Sequence, residues 1–238
     1  MRLAVWSGPR NLSTAMMYAF GHREDFTAVD EPFYAAYLAK TGLIHPMGDQ
    51  IIASQPTDPD QVIAGLLAPT SKPHVYHKHM SQHMIDGIPR EFIEECTNVF
   101  LIRHPARVVA SFSAKYDNVT LDSIGFVQQH ELCNQLMAKG IAPVVIDSAD
   151  IRRAPEAGLR AMCDAVGLEF DPSMLHWPAG PHPDDGVWAA HWYGAVHQST
   201  GFAGAEGPLP DVPEALQPLV DGAMPHYEQM QKMALSFT

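Results

Sequence analysis

The chain is short of cations: its 238 residues carry 15 Lys and Arg against 27 Asp and Glu, for a formal charge of −12 at pH 7. Nucleic-acid scaffolds present a basic face, so no nucleic-acid partner is expected. No stretch of eighteen apolar residues occurs, which argues against a helical membrane span and a membrane partner. Cysteine is scarce. Cys96, Cys133 and Cys163 are odd in number, far apart and set among apolar neighbours, which excludes a disulfide framework. The start has no basic region followed by an apolar run, so no secretory leader is expected and the expected location is cytoplasmic. Internal repeats and low-complexity tracts are also missing. With cations this few, a polyanionic ligand needs a local basic pocket, and the positions of the arginines carry information.

With 46% hydrophobic residues, the length fits one domain with a large core. The organising stretch is the first twenty residues. Residues 2–6 read as a short buried strand, Ser7 to Thr14 as a tight loop, and Ala15 to Phe20 as the start of a helix. A strand, loop and helix in that order offer unpaired backbone N–H groups and a helix dipole to an anion. Gly8 permits the turn, Arg10 brings a fixed charge, and Ser13 and Thr14 bring hydroxyls. The loop is not the nucleoside-triphosphate version, Gly, four residues, Gly-Lys-Ser/Thr: one glycine is present, and Arg10 precedes the hydroxyl pair. The other reading of this segment is an ordinary strand-to-helix turn with Ser or Thr as N-cap.

Further strands are predicted at 26–30, 74–79, 98–103 and 143–147, and helices at 33–40, up to Leu67, partly over 85–96, at 105–116, 121–139 and 156–166. Alternating strands and helices imply an α/β fold, a three-layer α/β/α arrangement around a central parallel sheet. Residues 42–58 read as a surface excursion. Residues 169–213, rich in Pro, Gly, His and Trp, read as an irregular loop or lid. A closing helix follows at about 213–235, interrupted or kinked near Pro218 and Pro225.

Ligands of open parallel sheets bind beyond the carboxyl ends of the strands. The loop at 8–14, His77 to His79, Arg103 and residues 147–150 all fall there. Arg103 ends a strand and Ser111 lies eight residues on, with Arg107 one helical turn before it. A second anion fits against Arg103 and Ser111. His74, His77, His79 and His83 cluster, but no Cys or carboxylate lies close in sequence and the spacing matches no standard metal site, so no metal is expected. Trp177, Trp188, Trp192 and Tyr193 lie in the late loop, where aromatics either stack on a base or line an acceptor pocket, or pack on the sheet.

These motifs resemble those of the sulfotransferases that use 3′-phosphoadenosine 5′-phosphosulfate, and the chain looks like a divergent, bacterial-type member. Pro9-Arg10-Asn11-Leu12-Ser13-Thr14 is similar to the family's Pro-Lys-Ser-Gly-Thr-Thr loop, with Arg10 at the lysine and Leu12 at the glycine. Arg103 through Ser111 resembles the arginine and serine that grip the 3′-phosphate, and residues 147–168 resemble a third segment. Trp188 and residues 199–202 echo a later loop, whereas the Arg-Lys-Gly segment has no counterpart in 176–207, which contains no Lys or Arg. The resemblance implies a P-loop sulfotransferase architecture. It implies sulfuryl transfer without a metal from that donor to a hydroxyl or amine of a small acceptor. Gly8, Pro9, Arg10, Asn11, Leu12, Ser13, Thr14, Arg103 and Ser111 would hold the donor. The family's Lys-x-His pattern points to His79 as base and to His77 or Lys78 as its companion, with His83 in reserve. The alternatives are a P-loop small-molecule kinase or nucleotide hydrolase, and a non-catalytic nucleotide- or anion-binding module.

Overall fold

The computed structural model describes residues 1–116 and 118–237. Five strands form one parallel sheet: β1 (Arg2–Ser7), β2 (Phe26–Asp30), β3 (His74–Met80), β4 (Thr97–Ile102) and β5 (Val144–Asp147), in the order β2-β3-β1-β4-β5. All five carboxyl ends share one rim. Alternation within β1 explains its continuous apolar run. Leu3 and Val5 enter one core, Ala4 and Trp6 the other, and all four are at most 1% exposed. The first core takes helices α1 (Ser13–Gly21) and α2 (Tyr34–Thr41), and the second takes α4 (Pro59–Leu67). Between these, α3 (Gly48–Ser54) lies inside the segment read as a surface excursion and buries Ile51. The second core also takes α5 (Pro105–Ser113). The result is the α/β/α arrangement that the alternation implies.

Four stretches differ from these expectations. The helix expected over 121–139 is two: α6 (Leu121–Ile124) and α7 (Phe126–Ala138), parted by Gly125 at φ 71. A helix cannot run through a left-handed residue. The turn after β5 is a helix, α8 (Ser148–Arg153), capped by Asp147, whose carboxylate accepts from the Ala149 N–H at 2.8 Å. It leads into α9 (Pro155–Val166). The late segment carries two single-turn helices, α10 (Ala189–Trp192) and α11 (Gly194–His197). The closing helix is shorter than expected, α12 (Gln217–Gln231), and accommodates Pro225 within it.

His77 and His79 point to one side of β3 and Lys78 to the other, as strand alternation requires. His79 stacks on Trp6 with centroids 4.1 Å apart, and the His77 Nδ1 has no partner. Burial, helped by Arg2, holds the His77 imidazole down at about 4. A depressed pKa adds stability above the unfolded value of 6.5, and that stability drains as pH falls through the folded value. From His77 alone the loss by pH 4 is about 3 kcal/mol, at ~1.36 kcal/mol per unit. Urea unfolding at pH 7 and 4.5 checks this: a clearly lower midpoint is expected at the acidic pH, and equal midpoints would refute it.

Candidate functional site

The loops after β1 and β4 leave the sheet side by side and diverge, one toward β2 and the other toward β5. Such a divergence opens a crevice at the carboxyl rim of a parallel sheet. Gln129 on α7 ties the two strand ends together by donating to the carbonyls of Trp6 and Leu101, both at 3.0 Å. Asn11 donates to the Leu101 carbonyl at 2.8 Å and accepts from the Leu12 N–H at 2.8 Å, so its side chain fixes the β1 loop. Gly8 is required by close approach: a Cβ there would sit 2.4 Å from the Ile124 carbonyl oxygen. Arg10 adopts φ 56, an uncommon conformation for a residue with a side chain.

The N-terminus of α1 has Leu12 at its N-cap and no side-chain cap. Ser13 begins the helix instead of capping it. The first-turn donors of α1 are therefore not spent on a cap, and with the helix dipole they form an anion seat beside the Arg10 guanidinium. Arg10 Nε donates to Ser111 Oγ at 2.9 Å, and the Arg103 guanidinium donates to the Arg10 carbonyl. Burial, then repulsion from Arg103, lowers the Arg10 pKa from its ordinary value. The stretches around Arg10 and around Arg103, read from sequence as separate cradles, thus join into one. Arg103 also meets a carboxylate that the sequence did not point to, Glu206, which touches Arg107 and Arg152 as well.

From this seat a cavity of about 870 Å³ runs across the rim toward β2 and β3, and Pro9, Arg10, Asn11, Ser13 and Thr14 line its near end. Its floor is a buried charge cluster. Lys78 Nζ lies 2.8 Å from Asp30 Oδ1, 2.6 Å from Glu31 Oε1 and 2.6 Å from Tyr193 Oη. The Tyr193 hydroxyl is fixed by Asp30 at 2.8 Å and by the Trp188 indole N–H at 3.0 Å. Glu31 follows β2 and lies at φ 39, so the backbone carries its side chain across the strand end. Burial raises the Glu31 carboxyl from its ordinary value, with Lys78 opposing and Asp30 adding to the shift. Asp30 and Glu31 in turn hold Lys78 protonated against burial.

The far wall is aromatic. Tyr34 and Tyr37 both stack on His83, with centroids 4.8 Å apart, and Tyr116 stacks on Trp192 at 5.4 Å. Burial drives the His83 imidazole well below its ordinary value and keeps it neutral. Of the late aromatics, Trp192 and Tyr193 reach the cavity. Trp177 packs edge-on to Phe202, and Trp188 lies in the core at 1% exposure.

Arg10, Lys78 and the 9–14 loop therefore meet in one cleft. His79 does not: it is 1% exposed, enclosed by Trp6, Phe33 and Phe92, and turned away from the cavity. Asp147 spends its carboxylate on the α8 N-terminus and on the Tyr227 hydroxyl, 2.8 Å away. Sequence reasoning missed Glu31, Arg152 and Glu206. A signal for the first was present: Asp30-Glu31-Pro32 closes a strand at the rim where ligands bind.

A family model described as "Sulfotransferase domain" matches residues 1–234. Two proteins of Arabidopsis thaliana are similar to the chain. "Branched-chain-amino-acid aminotransferase-like protein 2" is 35% identical over 94% of the chain, and "Branched-chain-amino-acid aminotransferase-like protein 1" is 36% identical over 93%. The chain spans 40% of the length of either relative. Among solved structures, the "Sulfotransferase Domain from the Curacin Biosynthetic Pathway" is 14% identical with a TM-score of 0.54, covering 93% of this chain and 96% of that one. A sulfotransferase from Alicyclobacillus acidocaldarius is 11% identical with a TM-score of 0.56, covering 98% and 96%. At these identities the structural likeness concerns the fold.

Proposed function

Because the chain belongs to the sulfotransferase-domain family, we propose that it transfers a sulfuryl group from 3′-phosphoadenosine 5′-phosphosulfate to the hydroxyl or amine of a small acceptor with an apolar or aromatic body. The observation that carries this reading is the uncapped N-terminus of α1 with Arg10 beside it, opening on the same cavity as the buried Glu31–Lys78 pair. Residues 9–14 suit the phosphosulfate: backbone donors, hydroxyls and a fixed charge meet there. Arg103 and Ser111 suit the 3′-phosphate in type, and Glu206 lends Arg103 a carboxylate as a stand-in anion. When bound, the donor supplies an activated sulfur at the end of a phosphosulfate anhydride.

The chain's own residues have three tasks. Arg10 and the α1 dipole stabilise negative charge on the leaving phosphate oxygens, the largest single contribution in sites of this kind. Glu31 Oε takes the proton from the acceptor's hydroxyl or amine, and Lys78 and Tyr193 orient that carboxylate. The base in this reading is Glu31 and not His79, whose ring is walled off by Trp6 and Phe92. Tyr34, Tyr37 and Tyr116 hold the apolar body of the acceptor and exclude water.

Calorimetry tests the donor. Adenosine 3′,5′-bisphosphate is expected to bind without a metal, and ATP with magnesium to bind worse; the reverse order favours a kinase. Arg10→Ala is expected to weaken the bisphosphate at least tenfold, by removing a charge-assisted contact. Unchanged affinity would make the loop a structural turn. Turnover of radiolabelled donor over a panel of acceptors then separates an enzyme from a silent anion-binding module. The Arg103–Glu206 pairing favours that second reading.

A further inference from the structure

Three guanidiniums converge on one carboxylate. Arg103 follows β4, Arg107 lies in the first turn of α5, and Arg152 lies in the last turn of α8. Glu206 Oε1 accepts from Arg103 and, at 2.8 Å, from Arg152, while Oε2 meets Arg107 Nε at 2.7 Å. The Glu206 side chain is 3% exposed although its neighbours Gly204, Ala205 and Gly207 are exposed. The carboxylate is thus pushed inward from a surface strap. Among the described residues, every recorded polar tie between 203–209 and the rest of the chain runs to these arginines. Arg152 also donates to the Gly204 carbonyl at 2.9 Å, and Arg107 to the Gly207 carbonyl.

The match is imperfect in two ways. Three positive charges face one negative charge, leaving an excess of two. Arg103 and Arg107 flank the N-terminus of α5, where a helix dipole disfavours cations. Two carboxylate oxygens must also serve three guanidiniums. A phosphate monoester carries about −1.5 to −2 charge on three strong acceptor oxygens, which allots one oxygen to each arginine and cuts the excess of two to about 1–1.5. Resting on the donor reading above, we infer that Arg103, Arg107 and Arg152 form a phosphate-monoester site that Glu206 keeps closed, and that the strap 203–209 leaves when such an anion arrives. The strap contains two glycines and is held at its ends by Phe202 and Val212, which pack against the two cores.

The test compares the unaltered chain with Glu206→Gln by calorimetry against three probes: adenosine 3′,5′-bisphosphate, adenosine 5′-monophosphate and inorganic phosphate. Removing the internal competitor is expected to tighten the bisphosphate at least tenfold, leave the monophosphate unchanged, and create a phosphate site that an added Arg152→Ala abolishes. Equal or weaker bisphosphate binding in Glu206→Gln overturns the inference and leaves the donor reading standing. If neither protein binds either nucleotide, the donor reading fails, and inorganic phosphate decides alone: binding gained by Glu206→Gln supports the closed site, and none gained overturns it. Should the variant not fold, hydrogen exchange on the unaltered chain replaces it. Faster exchange at 203–209 with saturating bisphosphate or phosphate supports release of the strap; unchanged or slower exchange overturns it.

Discussion

Glu31→Gln is expected to lower turnover by about 10²- to 10⁴-fold, the usual worth of a positioned general base, while adenosine 3′,5′-bisphosphate binds as before. The substitution keeps the shape of the side chain and its hydrogen bond to Lys78, and the Lys78–Asp30 pair at 2.8 Å remains to hold the fold. What disappears is the carboxylate that accepts a proton. Its burial raises the folded pKa above the ordinary carboxylate value. A base works only when ionised, so the rate should fall as pH drops through that raised value, on the neutral side of an exposed glutamate. The measurement is a pH–rate profile for the unaltered chain, with single-turnover rates for the variant. A variant that retains most of its rate would move the proton transfer to His83, whose ring lies on the same cavity wall, or to a bound water.

The sequence carried the strands and the first loop well because their signals are local. A fully apolar run such as residues 3–6 has one stable place, between two helical layers, and the glycine and proline after it can only turn. The arrangement of β1, its loop and α1 followed from that, as did the rim position of Arg103. The proposed shift of the base from His79 to Glu31 turns on periodicity. His77-Lys78-His79 alternates, so choosing the histidines assigns Lys78 to the opposite side. Which side faces the cleft depends on Trp6 in the neighbouring strand, whose indole fills the space beside His79. Glu31 and Lys78 are 47 residues apart, and Arg152 and Glu206 are 54 apart. Neither spacing has a period that a pattern could reveal; both pairs exist only because the sheet order brings distant loops to one rim.

Lys78→Met should be the most destabilising single change at the site. Lys78 is 1% exposed and contacts two carboxylates, Asp30 at 2.8 Å and Glu31 at 2.6 Å. Methionine fills the same space but leaves two buried acids without their cation, and breaking a buried pair from one side costs about 3–5 kcal/mol. For a chain of this length that lowers the melting temperature by roughly 6–20 °C, at ~2–4 °C per kcal/mol. The sign of the pH dependence separates this cause from lost packing. Without Lys78, which opposes the upward push of burial on Glu31, the Glu31 carboxyl in the folded chain rises further above its ordinary value. Groups raised in this way favour the folded state at low pH and lose that contribution as pH rises. The deficit of the variant relative to the unaltered chain should therefore shrink as pH falls from 7 toward 5. The acid loss at His77 is common to both proteins and cancels in the difference. Adding Asp30→Asn should recover part of the deficit at pH 7, because it removes one of the two stranded charges while keeping an acceptor for the Tyr193 hydroxyl. Denaturant unfolding of the three proteins at pH 7 and 5.5 measures both effects. A deficit below about 1 kcal/mol, the size of an exposed pair, or one that does not change with pH, would mean that Lys78 does not carry the charge balance of this cleft.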